Sequence, residues 1–246
     1  MNYFEHIGKY FMMLTQVFRK PQRSRVFREA LSREIEVLGL KSLGIIAFIS
    51  FFIGGVIALQ TALNLNNPLI PQSLIGFAAK RSIILEFAPT FCSIILAGKV
   101  GSYITSSIGT MRVTEQIDAL EVMGINSLNY LVLPKIIATL FFYPFLISLG
   151  MILGIFGGWI SGTMTGIFSG VDYIEGVQMD FDPYLIMYSL IKTLIFAFII
   201  ATVPSYHGYY VKGGSLEVGK ASTQSVVWTI VLIVIANYFL TQMLLT

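Results

Sequence analysis

The sequence predicts an all-α protein that crosses a membrane several times. Apolar residues make up 55% of the 246-residue chain and charged residues only 12%. The apolar residues are gathered in long runs, which is typical of polytopic membrane proteins rather than soluble domains. A short charged segment between two of these runs is the third observation, because its pattern is that of a small helix outside the membrane.

Five apolar runs are long enough for the roughly 20 residues that a transmembrane helix needs. The predicted spans lie near 43–63, 84–108, 132–158, 184–206 and 225–245. Pro89 predicts a kink in the second span, where neighbours or water must replace the lost hydrogen bond. No repeat, low-complexity tract or flexible linker divides the chain. We therefore expect a single domain over 1–246, with an interfacial segment at 1–35 and the five-span region at 43–245.

The residues before the first span predict an amphipathic helix that lies in the membrane interface, and they lack the pattern of a signal peptide. Its apolar side chains recur at helical spacing: Tyr3, Phe4, Ile7, Tyr10, Phe11, Leu14, Val17 and Phe18. A basic cluster follows around Pro21: Arg19, Lys20, Arg23, Arg25, Arg28 and Arg33. Anionic lipid explains this cluster as well as a protein partner does. Because the cluster directly precedes a span, we do not expect nucleic-acid binding.

Lysine and arginine near the ends of the spans predict the orientation of the chain. The N-terminal segment and the links at 109–131 and 207–224 carry basic residues, whereas the 159–183 link carries only acidic ones. Lys80 and Arg81 in the second link are a mild exception. We therefore expect a cytoplasmic N-terminus and a C-terminus on the opposite side.

Residues 114–123 predict a short helix between spans two and three. Thr114 is suited to cap its first turn, Glu115 to its positive dipole end, and Gly124 to a left-handed terminator. One face carries an apolar stripe: Val113, Ile117 and Leu120. Polar side chains cover the rest: Arg112, Gln116, Asp118 and Glu121. The helix is either a rigid projection offered to a soluble partner or an ordinary loop helix on the membrane surface.

Two rows of small residues predict close helix packing, because small side chains let backbones approach in lipid. The rows are Gly150, Gly154, Gly158, Gly162, Gly166 and Gly170, and Gly98, Ser102, Ser106 and Thr110.

Two charges lie inside predicted spans, Glu86 in the second and Lys192 in the fourth. Ionisable groups in a membrane are costly and usually face a cavity, a partner or water. One interpretation is that Lys192 contacts an anionic head group in an otherwise apolar cavity. The alternative is snorkelling or a structural ion pair, with Glu86 as the candidate partner.

The sequence carries no motif that predicts catalysis or a bound metal or cofactor. It lacks the G-x-x-x-x-G-K-[ST] loop of an ATPase, and it has neither HExxH nor GxSxG. Cys92 is the only cysteine, and His6 and His207 are far apart. We therefore do not expect an enzyme.

The words AGKVGSYITSSIGTMRVTEQIDALEVMGI and YLVLPKIIA, within 97–138, closely resemble the signature of the MlaE-like ABC permeases. Weaker likeness covers most of the chain and includes REIEVLGLKSL, FFIGGVIALQ and LIKTLIF. This family transports lipid in Gram-negative envelopes and plastids. The resemblance implies an inner-membrane permease subunit that moves phospholipid.

The resemblance also implies partners and roles for particular residues. Each protomer of a homodimer would bind one cytoplasmic ATPase subunit, which binds the ATP, and MCE-domain proteins would cover the outer face. The 114–123 helix would be the coupling helix, and its polar contacts would come from Arg112, Glu115, Asp118 and Glu121. Spans one, two and five would line a cavity at the dimer interface, with Glu86 and Lys192 in or beside it.

The chain departs from the family pattern at LEFAP, where many relatives have RELGP, so Leu85 replaces an arginine. Lys80 or Arg81 is a candidate to substitute for it. Two alternatives to phospholipid transport stay open: a permease for another apolar cargo such as a sterol, and a membrane scaffold that needs no ATPase.

Overall fold

A computed structural model describes residues 3–19, 24–65 and 71–245, and contains helices and no strand over those ranges. The predicted all-α fold is confirmed. Its helices are α1 (Tyr3–Val17), α2 (Arg25–Asn64), α3 (Ser73–Val113), α4 (Gln116–Val122), α5 (Ser127–Thr165), α6 (Gly170–Gln178), α7 (Pro183–Tyr209) and α8 (Ser215–Leu245).

Within the described residues, five helices are long and apolar enough to cross a membrane: α2, α3, α5, α7 and α8. The five-span prediction is confirmed. Each helix is longer than its predicted span, because apolar sequence marks only the part suited to the hydrocarbon core, whereas the hydrogen-bonded helix continues beyond it. The longest of the five is α3, which runs for 41 residues.

Three stretches of π-helix interrupt the regular hydrogen bonding of α2 and α3: Ile35–Gly39, Ile83–Phe91 and Ala97–Gly101. Pro89 lies inside the second stretch. Proline has no N–H group to donate, so the chain widens its turn around Pro89 and the helix continues. Glu86 belongs to the same widened stretch, where side chains point in directions that a regular α-helix does not offer.

One face of α1 packs against the protein. Met13 and Val17 are fully buried, and the Tyr10 hydroxyl lies 2.7 Å from the Thr202 hydroxyl of α7. Ile7 and Phe11 remain exposed, as expected of a helix at a membrane interface. Some residues of the predicted apolar face and basic cluster are not described. These are the side chains of Tyr3 and Phe4 and the whole of Lys20, Pro21 and Arg23.

The chain forms two compact units, each built from three separate stretches. The first contains Met1–Lys41, Ile94–Tyr143 and Ile195–Phe239; the second contains Ser42–Ser93, Pro144–Leu194 and Leu240–Thr246. The single permease domain over 1–246 stays a prediction.

Glycines bring α2 and α5 into backbone contact within the second unit. A Cβ added to Gly54 would lie 1.9 Å from the carbonyl oxygen of Gly154, and one added to Gly157 would lie 2.0 Å from that of Phe51. The packing role predicted for the row that begins at Gly150 is therefore confirmed at Gly154. At Gly98 no other element of the described residues lies within 4 Å of a Cβ built there, so packing at that position stays a prediction.

The Gly150 row also includes a residue with a different role. Gly166 has φ +67 and follows the last residue of α5, so it ends that helix in the left-handed region. The small-residue pattern at this position serves helix termination.

Within the same unit, α6 packs on the start of α3. A Cβ on Gly176 would lie 1.8 Å from the Ser73 carbonyl oxygen, so the two backbones touch. Tyr173 of α6 is 1% exposed, and burial raises the pKa of its phenol to about 12. The ring therefore stays neutral at physiological pH and acts as part of the core.

Candidate functional site

Two groups of residues are candidates for function: α4 with its flanking turns, and the charged pair within the spans. The geometry of α4 differs from the prediction at its start. Thr114 does not cap the helix, because its hydroxyl donates to the Thr110 carbonyl, 2.8 Å away. Glu115 has φ 58 and is the residue that precedes α4, so it lies before the first turn. Asp118 is the acidic residue in that turn.

The chain reverses at both ends of α4 through left-handed residues. Glu115 makes the reversal at the start, and Gly124 with φ +75 makes it at the end. The terminator predicted at Gly124 is confirmed. A non-glycine residue in the left-handed region is uncommon, and sequence patterns did not indicate Glu115 for it.

The predicted apolar stripe attaches α4 to the first unit. Ile117 is fully buried, and Val113 and Leu120 are partly buried. Arg112 at the end of α3 also bonds to Asp118, with Nη1 and Oδ1 2.7 Å apart. These contacts hold a helix of seven residues that would be marginal alone in water.

Glu121 is a further attachment point of α4. Its Oε1 accepts hydrogen bonds from the Tyr209 hydroxyl at 2.8 Å and from the Ser127 hydroxyl at 2.9 Å. These bonds join α4 to the end of α7 and the start of α5. The side chain is therefore part of the fold as well as a charge on the surface.

An apolar surface at the end of α4 was missed from the sequence. Val122 is 89% exposed and Met123 is 64% exposed, and Ile125 follows with 37%. None of the three belongs to the Val113 stripe. Their position outside this stripe could have predicted the exposed surface from the sequence, because apolar residues away from the buried face of a short helix do not reach the protein core.

The second candidate site is the ion pair between Lys192 of α7 and Glu86 of α3. The ammonium nitrogen lies 2.7 Å from Glu86 Oε1 and 4.6 Å from the centroid of the Tyr188 ring. It also donates to the Leu85 carbonyl at 3.3 Å. The structure therefore has the ion pair that the sequence offered as one alternative, and Lys192 does not snorkel.

Hydroxyl groups complete the surroundings of Glu86. Thr241 of α8 donates to Oε1 at 3.1 Å, and Thr90 donates to Oε2 at 3.2 Å. Lys192 is 0% exposed, whereas the Glu86 side chain is 42% exposed. Opposite charge and hydrogen bonds together offset the cost of burying the ammonium. Glu86 is therefore the exposed member of the pair.

The cation proposed to replace the missing arginine is used elsewhere. Lys80 donates to the carbonyl oxygens of Met179 at 2.6 Å and Asp180 at 3.4 Å. These bonds tie α3 to the turn after α6, so Lys80 does not substitute for the residue at Leu85. Arg81 is exposed, and its guanidinium lies 5.5 Å from the centroid of the Phe77 ring.

Within the described residues, no three side chains of His, Cys, Asp or Glu are grouped so that they could hold a metal ion. The first candidate site offers an exposed apolar surface, and the second offers a partly exposed carboxylate in an ion pair.

Comparison with known proteins gives one family over most of the chain. The family model described as "Permease MlaE" matches residues 31–243. A "Probable ABC transporter permease protein" of Rickettsia bellii is 33% identical over 97% of this chain and 92% of its own length. The "Intermembrane phospholipid transport system permease protein MlaE" of Haemophilus influenzae is 29% identical over 99% of this chain and 94% of its own. A chloroplast protein of Arabidopsis thaliana, "TRIGALACTOSYLDIACYLGLYCEROL 1", is 31% identical over 85% of this chain and 60% of its own.

Proposed function

The chain belongs to the MlaE permease family, a family of ABC transporter permeases, and we propose that it is the membrane subunit that moves phospholipid between membranes of the cell envelope. A separate subunit would bind and hydrolyse the ATP. In this proposal the protein is a multi-pass protein of the inner membrane with a cytoplasmic N-terminus and a periplasmic C-terminus.

One structural observation carries the ATPase part of the proposal. The helix α4 is anchored to three long helices through Ile117, Arg112 and Glu121, while its end exposes Val122 and Met123. A partner that binds this exposed end would move α4, and its contacts through Ile117, Arg112 and Glu121 would transmit the movement to α3, α5 and α7. Such a helix is a means to bias the spans between two arrangements.

We keep the four predicted polar residues as contacts to the ATPase, but the structure distinguishes their roles. Glu115 is exposed and free to contact a partner's cation, whereas Arg112 and Asp118 are paired with each other. Glu121 holds α4 in place. We therefore assign the main docking energy to the apolar end of α4, because apolar residues at the centre of an interface usually contribute more than charges at its rim.

Phospholipid is the proposed cargo because the Haemophilus influenzae relative is named for phospholipid transport. Glu86 supports this proposal as an accessible charge in an apolar stretch of sequence, held by Lys192 and two threonines. A polar group among apolar walls suits a ligand with a head group and acyl chains. A permease for a sterol stays the alternative, since a sterol hydroxyl also donates to a carboxylate.

We also propose that two copies form a homodimer with the cavity between them, and that MCE-domain proteins bind its outer face. The last span supports the dimer. Only 11% of its most apolar stretch is buried within the chain, against 33% to 56% for the other spans. Its exposed aromatic residues, Tyr238 and Phe239, are available to a second copy or to lipid.

Co-purification tests the proposal. The tagged chain, extracted from its native membranes, is expected to bring down a P-loop ATPase and phospholipid identified by mass spectrometry. Val122→Glu is expected to reduce the recovered ATPase about tenfold, because it places a charge in an apolar contact. Val171→Glu is the matched control, since Val171 is 75% exposed on α6 in the link proposed for the opposite side.

Two results would overturn parts of the proposal separately. Equal ATPase recovery with both variants would remove α4 as the docking element. A complex that carries sterol and no phospholipid would change the cargo but leave the ATPase coupling intact.

A further inference from the structure

A cavity of about 370 Å³ lies within the first unit, and none of the residues proposed for coupling or cargo lines it. The start of α2, the second half of α3 and the start of α5 form its walls. Its ionisable lining residues are Glu29, Arg33, Glu34 and Lys135. A cavity of this volume is in the range of small-molecule sites, about 300–1,000 Å³.

The inner wall of the cavity carries a buried ion pair with an unused acceptor. Lys135 is 3% exposed, and its Nζ lies 2.5 Å from Glu34 Oε1 and 5.4 Å from the Tyr103 ring centroid. The other carboxylate oxygen, Glu34 Oε2, is buried and has no hydrogen-bond partner within the described residues. A buried acceptor of this kind is costly unless a donor reaches it.

The ammonium of the pair also has N–H donors that no hydrogen bond uses within the described residues. An ammonium group has three N–H donors, and Glu34 takes one of those of Lys135. Arg33, on the exposed rim, adds a second cation. The same cavity therefore presents donors suited to an anionic oxygen and, beside them, an acceptor suited to a cationic nitrogen.

The balance of charge favours a ligand that carries both signs. Two carboxylates and two cations line the cavity, so its ionisable residues sum to zero. Glu29 attracts a bound cation less than Glu34 does, because its side chain faces solvent and its carboxylate lies 3.4 Å from the Arg25 guanidinium. A purely anionic ligand would meet the Glu34 carboxylate, whereas a zwitterion satisfies Glu34 and Lys135 together.

The position of the cavity along the spans indicates a lipid. Lys135 lies near the start of the apolar run at 132–158, and Tyr103 near the end of the run at 84–108. Tyrosines and lysines at such positions are typical of the head-group level of a membrane. Apolar lining residues, among them Ile108, Met111 and Leu131, would face the glycerol and the first acyl carbons.

We propose that this cavity binds the head group of a membrane phospholipid that carries a primary amine. The ammonium donates to Glu34 Oε2, and the phosphate accepts from Lys135 and Arg33. The site does not depend on the proposed cargo, because it shares no residue with the Glu86–Lys192 pair.

The test uses the full chain in lipid nanodiscs with a phosphatidylethanolamine that carries a photoreactive group near its head group. Labelled peptides are mapped by mass spectrometry, with unlabelled phosphatidylethanolamine, phosphatidylglycerol and inorganic phosphate as competitors. Label is expected on the peptides that contain Tyr103 and Lys135. Unlabelled phosphatidylethanolamine is expected to compete roughly tenfold better than phosphatidylglycerol, because only its amine reaches Glu34.

Glu34→Gln is expected to make phosphatidylethanolamine and phosphatidylglycerol compete about equally. The amide keeps an acceptor for Lys135 but loses the charge that attracts the amine. Glu36→Gln is the matched control and keeps the preference, because Glu36 is exposed, pairs with Lys41 at 3.7 Å and does not line the cavity. If Glu34→Gln fails to fold, Ser107→Phe fills the cavity without touching the ion pair and is expected to abolish the label.

Three results would overturn the proposal. Equal competition by phosphatidylglycerol would remove the amine from it. Full competition by inorganic phosphate would make the ligand a free anion instead of a lipid. Undiminished labelling of Ser107→Phe would place the lipid outside the cavity.

Discussion

At the scale of residues, burial distinguishes the two members of the Lys192–Glu86 pair. Lys192 is fully buried and Glu86 keeps 42% of its side chain exposed, so the lysine positions the glutamate. The sequence predicted a shared role for the two charges. It did not separate the positioning residue from the accessible one, because that difference depends on how α3, α7 and α8 pack.

Glu86→Leu is expected to lower the stability of the protein by about 3–5 kcal/mol, because it leaves the fully buried Lys192 ammonium without its counter-ion. Lys192→Met is expected to cost less, since the remaining Glu86 carboxylate is 42% exposed and still accepts from Thr90 and Thr241. Thermal unfolding in detergent measures both. The double variant Lys192→Met with Glu86→Leu is expected to recover most of the loss, and a double variant as unstable as Glu86→Leu would contradict the ion pair.

Glu121→Lys is expected to weaken both ATPase binding and local stability. The new ammonium cannot accept from Tyr209 and Ser127, whose bonds to Glu121 contribute about 1–2 kcal/mol together. Glu121→Gln keeps an acceptor and is the matched control, with near-normal unfolding. Thermal unfolding and ATPase pull-down separate the effects. A stable Glu121→Lys protein with weakened binding would mean that the charge acts at the interface alone.

At the scale of elements, close helix crossings depend on particular glycines. Gly54→Ala is expected to destabilise the protein by about 1–3 kcal/mol, because the added methyl group meets the Gly154 carbonyl oxygen and forces α2 from α5. Gly44→Ala, in the same helix, has no atom within 4 Å of the new carbon and is expected to be neutral or slightly stabilising. Equal unfolding temperatures of the two variants would contradict the close contact of α2 and α5 at Gly54 and Gly154.

The long helices were predictable from the sequence, and the details of α4 were not. Five apolar runs gave the spans because length and hydrophobicity are local properties of the chain. Ile117 and Gly124 were also predictable, from helical spacing and from the backbone freedom of glycine. The left-handed Glu115 was not, because tertiary contacts of α4 hold that residue in a conformation that its side chain does not favour.

The same limit applies to the candidate sites. Glu86 and Lys192 stood out because charges in apolar runs are rare. Glu34 and Lys135 did not, since Glu34 precedes the first apolar run and Lys135 lies near the start of the third. Only the fold places them 2.5 Å apart, with one carboxylate oxygen that has no partner within the described residues.

At the scale of the whole molecule, we propose that the short helix α4 connects the spans to a separate ATPase. The positive-inside pattern predicts that α4 lies in the cytoplasm and that the link at 159–183 lies on the other side. The apolar end of α4 then meets soluble partners of the cytoplasm.

The most direct measurement is the accessibility of single cysteines at Val122 and Val171 to a membrane-impermeant maleimide. The only natural cysteine, Cys92, is buried, so the background is expected to be low. In inside-out vesicles that lack the ATPase, Val122→Cys is expected to react and Val171→Cys to be protected; right-side-out vesicles are expected to reverse the result. Reaction of Val122→Cys only in right-side-out vesicles would contradict the account, because α4 would then lie beyond the reach of any cytoplasmic ATPase.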